Sequence, residues 1–334
     1  MRLSKKLLLL FVALFLIVGG VSRYLFVVPD IEPPPLSGTL ESHQLEIDGV
    51  DRSFDFYVPA ELPHNAPVIL ALHPSQGDGM RMRRATAYVF DRLADEHGFI
   101  VAYPDGYERH WNDCRSAGPY AANQLDIDDI HFLRMLLAYL ETEYAVDADS
   151  VLAFGLSNGG HMSYRLALEA SGGVTAAAAI AAGMPAKGNM DCAPAGEAVA
   201  MLIVNGTDDP INPYDGGEVA LFGRFGSRGQ VESSLDSARY WAALAGHTHE
   251  PMQLRLPDTV PEDESVAMLM AWSGAGGPDV SLITVYGGGH TIPHPTARFP
   301  RIFGRVNQDF SAAEEAWRFF RSEMDRRRQA VASD

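Results

Sequence analysis

Basic charge is scarce in this chain. Lys and Arg number 26 against 43 Asp and Glu, a formal net charge of −17. No cationic surplus is left to neutralise phosphates, which argues against a nucleic-acid partner. Cysteine is scarcer still, with only Cys114 and Cys192. The histidines show no H-E-x-x-H and the cysteines no paired spacing, so no metal is expected. No G-x-G-x-x-G follows the first strand with a suitable helix, so a dinucleotide is not indicated, and no cofactor is expected. Internal repeats are absent. What is plentiful is apolar residue content, 47% of 334 residues, enough to bury a sizeable core.

One long apolar run stands at the N-terminus. Arg2, Lys5 and Lys6 precede Leu7–Val21, and the run resumes after Ser22 and Arg23 up to Val28. A charged flank followed by an apolar stretch is the signal-peptide pattern. No clear A-x-A site follows, so residues 1–28 read either as a cleaved signal peptide or as an uncleaved signal anchor. Either way the remainder is expected to be exported: secreted, periplasmic, or held at the outer face of the inner membrane by residues 7–28. Export would permit a Cys114–Cys192 disulfide, and two free thiols are the alternative.

Residues 29–39, with Pro33-Pro34-Pro35, read as a Pro-rich linker. Residues 40–326 read as one catalytic domain and 327–334 as a polar tail. Two early strands surround the turn Asp48-Gly49. Apolar strands then alternate with helices: Ala66–His73, a helix ending at Gly98, Phe99–Pro104, a helix over Asp126–Tyr144 with acidic residues at its start, and the strand Ser150–Gly155. Further strands are expected at Val174–Gly183, Ala198–Gly206 and Val280–Gly288, with a closing helix capped by Ser311. This alternation predicts an α/β fold with a mostly parallel central sheet and helices on both faces. Ligands of such sheets bind beyond the carboxyl ends of the strands.

The residues at those strand ends carry chemistry. "GLSNGG" (Gly155–Gly160) fits G-x-S-x-G in strand–turn–helix context, which would lift the Ser157 hydroxyl to a helix N-terminus. A glycine-rich turn with an incidental serine fits the pattern equally. A serine needs a base. His290 follows the last strand behind Gly287–Gly289, while His294 lies farther on, between two prolines. The orienting acid is expected after Ala198–Asn205, where Asp208 and Asp209 both stand and spacing does not choose. The backbone N–H of Asn158 could hold an oxyanion. A second donor is expected in the loop after His73, where Pro74 has no N–H, so Ser75 leads and Gln76 follows. His73 is read as tying that loop, Trp111 as either a substrate wall or a core cap, Asp128 and Asp129 as helix-capping residues, and His161 and Met162 as packing behind the elbow.

Several stretches together, "LHPSQGDG", "VAYPDGYERHWND", "YAVDADSVLAFGLSNGGHMSYRLA", "NGTDDPINPYDGG", "VYGGGHTIP" and "FSAAEEAWRFF", resemble the polyhydroxybutyrate depolymerase and feruloyl-esterase-like (carbohydrate esterase family 1-like) group of α/β-hydrolases across roughly residues 45–325. The resemblance implies an α/β-hydrolase fold, Ser157 as nucleophile, His290 as base, and Asp209 as the acid, because the family reads G-T-x-D-P. Three positions depart from it: Pro74 replaces the glycine after His73, Ile292 replaces an aromatic residue, and Cys114 replaces glycine after "WND". The expectation is a serine esterase with no cofactor, acting on a hydroxyalkanoate oligomer, a small ester, or a feruloyl or acetyl ester of a polysaccharide. A peptidase or amidase with the same triad, and a membrane-tethered binding protein without turnover, are the alternatives.

Overall fold

A computed structural model describes residues 5–169, 173–274 and 276–333, with side chains from 11 to 330 within those spans. Its strands in chain order are β1 (Thr39–Ile47), β2 (Val50–Val58), β3 (Val68–Leu72), β4 (Ile100–Pro104), β5 (Val151–Leu156), β6 (Val174–Ile180) and β7 (Ala200–Gly206). There follow β8 (Gly217–Glu218) and β9 (Gln230–Val231), then β10 (Met252–Arg255), β11 (Val266–Trp272) and β12 (Val280–Tyr286). Ten of them form one sheet in the order β1-β2-β4-β3-β5-β6-β7-β12-β11-β10, while β8 and β9 pair separately. The six central strands from β4 to β12 are parallel, and antiparallel strands finish both ends.

Every residue of β3 to β7 is buried, which is why these strands read as unbroken apolar runs rather than alternating ones. The helices are α1 (Lys5–Phe26), α2 (Gly79–Ala85), α3 (Val89–His97), α4 (Ala121–Gln124), α5 (Asp129–Tyr144), α6 (Asn158–Leu168), α7 (Ser234–Leu244) and α8 (Ala312–Ser333). One face of the sheet meets Phe132 and Leu136 of α5, Tyr164 of α6 and Trp241 of α7. The other meets Phe90 and Leu93 of α3 and Trp317 and Phe320 of α8. The expected mostly parallel sheet, covered on both faces, is therefore present.

Several details differ from the sequence expectations. The helix anticipated before Gly98 is two helices, because Ala87 and Tyr88 take positive φ (53° and 58°) and turn the chain between α2 and α3. Strands β10 and β11 were not anticipated. "VAMLMAW" is built largely of good helix formers and becomes a strand through pairing with β12. Asp128 does cap α5, accepting from His131 N at 2.8 Å, but Asp129 plays no part in the cap. It is buried against Arg52 at 2.5 Å and accepts from Asn112 N at 2.7 Å, anchoring the loop after β4.

The linker is not a free spacer: Ile31 and Leu36 pack on the core, and Ser37 N donates to Asp95 at 2.7 Å. The expected polar tail is taken into α8 up to Ser333, with Arg327 bonded to Thr175. At the other end, Arg301 lies 4.3 Å over the Tyr24 ring of α1 and donates to its hydroxyl at 2.8 Å. Among the described residues no helix is long and apolar enough to cross a membrane.

Candidate active site

The elbow is forced by its glycines. Ser157 sits at φ 55°, ψ −117°, between β5 and α6, a conformation that non-glycine residues adopt only under constraint. Its N–H donates to Ile180 O at 2.8 Å, which holds the turn against β6. A Cβ on Gly155 would lie 2.0 Å from Gly159 O, and one on Gly159 would lie 2.1 Å from Leu72 O. Neither position tolerates a side chain, so the glycines make the turn and the turn presents Ser157.

Two more strand ends converge on it. Beyond β12, Gly289 N donates to Arg305 O and His290 N to Phe303 O at 2.7 Å, which fixes the imidazole. A Cβ on Gly289 would meet Phe303 O at 2.2 Å. Beyond β7, Thr207 Oγ1 accepts from Gly287 N at 2.9 Å and locks the two loops together. His290 Nδ1 lies 2.7 Å from Asp209 Oδ2, and both side chains are almost wholly buried. The other carboxylate oxygen of Asp209 accepts from Ile211 N at 2.7 Å and Asn212 N at 2.8 Å. Asp208 points away, 58% exposed, toward Arg305. His294 serves the backbone instead, since its Nδ1 accepts from Thr296 N and Ala297 N and so caps a turn. Burial lowers its pKa and favours the neutral ring this requires.

The loop after β3 is tied by His73, as anticipated. Its Nε2 accepts from Gly106 N at 2.9 Å, which leaves Nδ1 to donate to Pro74 O, also at 2.9 Å. Pro74 O accepts from Gly77 N as well, at 2.8 Å. Burial lowers the His73 pKa to about 4, keeping it neutral. Gln76 N is consumed by Arg109 O at 3.0 Å. The N–H groups of Ser75 and Asn158 donate to nothing among the described residues, so both remain available to a ligand.

The Asn158 side chain supplies something the motif does not announce. Its Oδ1 accepts from Trp111 N at 2.8 Å, and its Nδ2 donates to Trp111 O at 3.1 Å and to Asp113 Oδ2 at 2.6 Å. Trp111 is thereby a core residue and not a substrate wall. It is 0% exposed, its indole N–H donates to His73 O at 3.0 Å, and its ring packs 5.0 Å from that of His73. Cys114 and Cys192 are joined in a disulfide, Cα to Cα 5.1 Å. The bridge, with the bond from Asp191 N to Cys114 O, pins the loop that carries Asp113 and Arg115.

A cavity of about 340 Å³ lies over Ser157, bounded also by His290, Ser75, Leu156, Ile211 and Phe303. His161 reaches its wall instead of merely packing behind the elbow, and burial holds its pKa well below the ordinary value. A neighbouring cleft of about 410 Å³ shares Ser75, Gln76, Phe299 and Phe303 with it and is closed by Val28–Ile31. Arg115, Tyr120 and Arg228 also line the main cavity, and the sequence offered no motif that marks them. Among the described residues no group of His, Cys, Asp or Glu is arranged to hold a metal. The arrangement can deliver a hydroxyl nucleophile, a buried imidazole–carboxylate pair and two unpaired N–H donors to one cavity.

No family model matches the chain. It is 27% identical over 295 residues to "Putative esterase NocK" of Nocardia uniformis subsp. tsuyamanensis, covering 85% of this chain and 83% of that protein. It is 32% identical over 205 residues to "Probable feruloyl esterase C" of Aspergillus niger, covering 59% of this chain and 69% of that protein. Among solved structures, an acetyl xylan esterase from Aspergillus awamori superposes with a TM-score of 0.55 at 15% identity, over 84% of this chain and 98% of that one, a likeness of fold.

Proposed function

Because the chain belongs to the feruloyl-esterase-like family of α/β-hydrolases and is a carboxylic ester hydrolase, we propose that Ser157, His290 and Asp209 are its catalytic triad. The observation that carries the proposal is the 2.7 Å contact between His290 Nδ1 and Asp209 Oδ2 beside the cavity that exposes Ser157. Asp209 fixes the tautomer with a proton on Nδ1, leaving Nε2 to take the Ser157 proton as Oγ attacks the ester carbonyl. The oxyanion is held by the N–H groups of Ser75 and Asn158, each supplying about 3 kcal/mol of barrier lowering. His290 then protonates the leaving alcohol and activates the water that clears the acyl-enzyme.

The substrate class is an ester of the feruloyl, acetyl or hydroxyalkanoate type. The two neighbouring clefts, of about 340 and 410 Å³, give room for both sides of such an ester. Export is supported by the basic flank ahead of the apolar N-terminal run and by the disulfide, which persists only under oxidising conditions. The test is a panel of methyl ferulate, 4-nitrophenyl acetate and hydroxybutyrate oligomers, run with the wild type and Asp209→Asn. The variant is expected to lose on the order of 10³–10⁴-fold in kcat, with KM little changed. Retention of most of the activity would exclude Asp209 from the triad.

A further inference from the structure

The cavity over Ser157 is lined by two guanidinium groups and a phenol, and by no carboxylate. Arg115 is 1% exposed. Its Nε and Nη2 donate to Asp113 at 3.0 and 2.6 Å, while Nη1 is buried and has no hydrogen-bond partner. The nearby Tyr120 oxygen, after Asp113, helps hold that guanidinium charged against the cost of burial, but meets Nη1 at no hydrogen-bonding geometry. Asp113, which burial alone would raise, is kept below its ordinary pKa by Arg115, so the charges of this pair cancel.

Arg228 has no such partner. Its Nε donates to Tyr120 Oη at 2.7 Å and its Nη1 to Gly226 O at 2.7 Å, and among the described residues no acidic side chain pairs with it. The Tyr120 hydroxyl accepts from Ser75 Oγ at 3.0 Å as well, which leaves its own proton to donate outward. The His110 ring, stacked 4.2 Å from that of Tyr120, holds the phenol in place. In a chain of formal net charge −17, the cavity that exposes Ser157 therefore presents the Arg228 guanidinium with no carboxylate among its lining residues. A buried guanidinium N–H without an acceptor is costly to fold unless something supplies one.

We propose that Arg228, Tyr120 and Arg115 form a carboxylate subsite beside Ser157, and that the preferred substrates are esters bearing a free carboxylate elsewhere in the molecule. The planar carboxylate matches the guanidinium fork, and the Tyr120 proton supplies a further donor. The subsite rests on the ester-hydrolase reading of Ser157. It extends that reading from the bond cleaved to the charge of the molecule that carries it.

Two matched pairs test it. Mono-(4-nitrophenyl) adipate against 4-nitrophenyl hexanoate places the charge on the acyl side. The acetate ester of 4-hydroxybutanoate against that of 4-hydroxybutanamide places it on the alcohol side. In at least one pair the acidic ester is expected to have the higher kcat/KM by about tenfold or more, because the neutral analogue leaves the donors unpaired. That ratio is expected to collapse in Arg228→Gln and to shrink in about 0.5 M NaCl. Arg228 is half-exposed and outside the core, so the variant reports on recognition and not on folding. Equal hydrolysis within both pairs, or a ratio that survives Arg228→Gln, overturns the subsite and leaves the esterase reading intact. Failure to hydrolyse all four esters while Ser157 still reacts with a fluorophosphonate also overturns the subsite. Failure on all four with Ser157 unreactive overturns the esterase reading itself, and the subsite falls with it.

Discussion

Asn158 is expected to matter twice, and only one of its two roles can be mutated. Its backbone N–H survives any substitution except proline, but its side chain, 1% exposed, makes three hydrogen bonds to the 111–113 segment. Asn158→Ala removes all three, strands Trp111 N–H and Trp111 O, and leaves Asp113 Oδ2 with only its bond from Arg115 Nη2. A neutral bond contributes about 1 kcal/mol net and one to a charge about 1.5–3, and stranded buried partners add desolvation cost. The expected loss is about 3–6 kcal/mol, a large share of the 5–15 kcal/mol typical of a domain. Urea unfolding at pH 7, followed by circular dichroism, measures it. Asn158→Asp keeps the acceptor for Trp111 N but sets a second carboxylate where Nδ2 now donates to Asp113. That variant should be weakest at pH 7 and recover as the pH falls, because a proton on the new carboxyl restores the donor. A loss below about 1 kcal/mol for Asn158→Ala, or an Asp variant as stable as the wild type at pH 7, would refute this account of how the elbow is joined to the loop.

Two further outcomes follow from neighbouring groups. His73 is neutral in the fold down to about pH 4, whereas an unfolded histidine takes up its proton near 6.5. Stability is therefore expected to fall by about 3 kcal/mol between pH 6.5 and 4, and His73→Asn should flatten that part of the urea-stability profile. A wild-type profile no steeper than the variant's would contradict it. The disulfide closes a loop 78 residues apart in sequence, so reduction is expected to cost up to about 4.5 kcal/mol and lower Tm, with an unchanged Tm as the contrary result.

The sheet and the strained turn at Ser157 were legible because their signals are local. Strands buried on both faces are unbroken apolar runs, and Gly155 and Gly159 leave no room for any other residue. Between Asp208 and Asp209 spacing offered no choice, and only the resemblance picked one. The structure separates them by where the Asp-Pro turn sends each carboxylate, one inward to His290 and one out to solvent. Trp111 was ambiguous for a similar reason: an aromatic residue after a strand suits a pocket wall and a core plug equally, and its bonds to Asn158 and His73 are far apart in sequence. Strand β11 was hidden because its residues favour helix, and only the neighbouring strand makes it extended. Arg115 and Arg228 were hidden because they lie 113 residues apart, in two loops without any motif.

The central claim is that Ser157 is the nucleophile, and peptide mapping after reaction with a fluorophosphonate tests it most directly. The account expects a single adduct on the peptide containing Gly155–Gly160, with no labelling of Ser157→Ala and loss of ester hydrolysis in that variant. An adduct on another residue, or a Ser157→Ala protein that is labelled and active like the wild type, would contradict it.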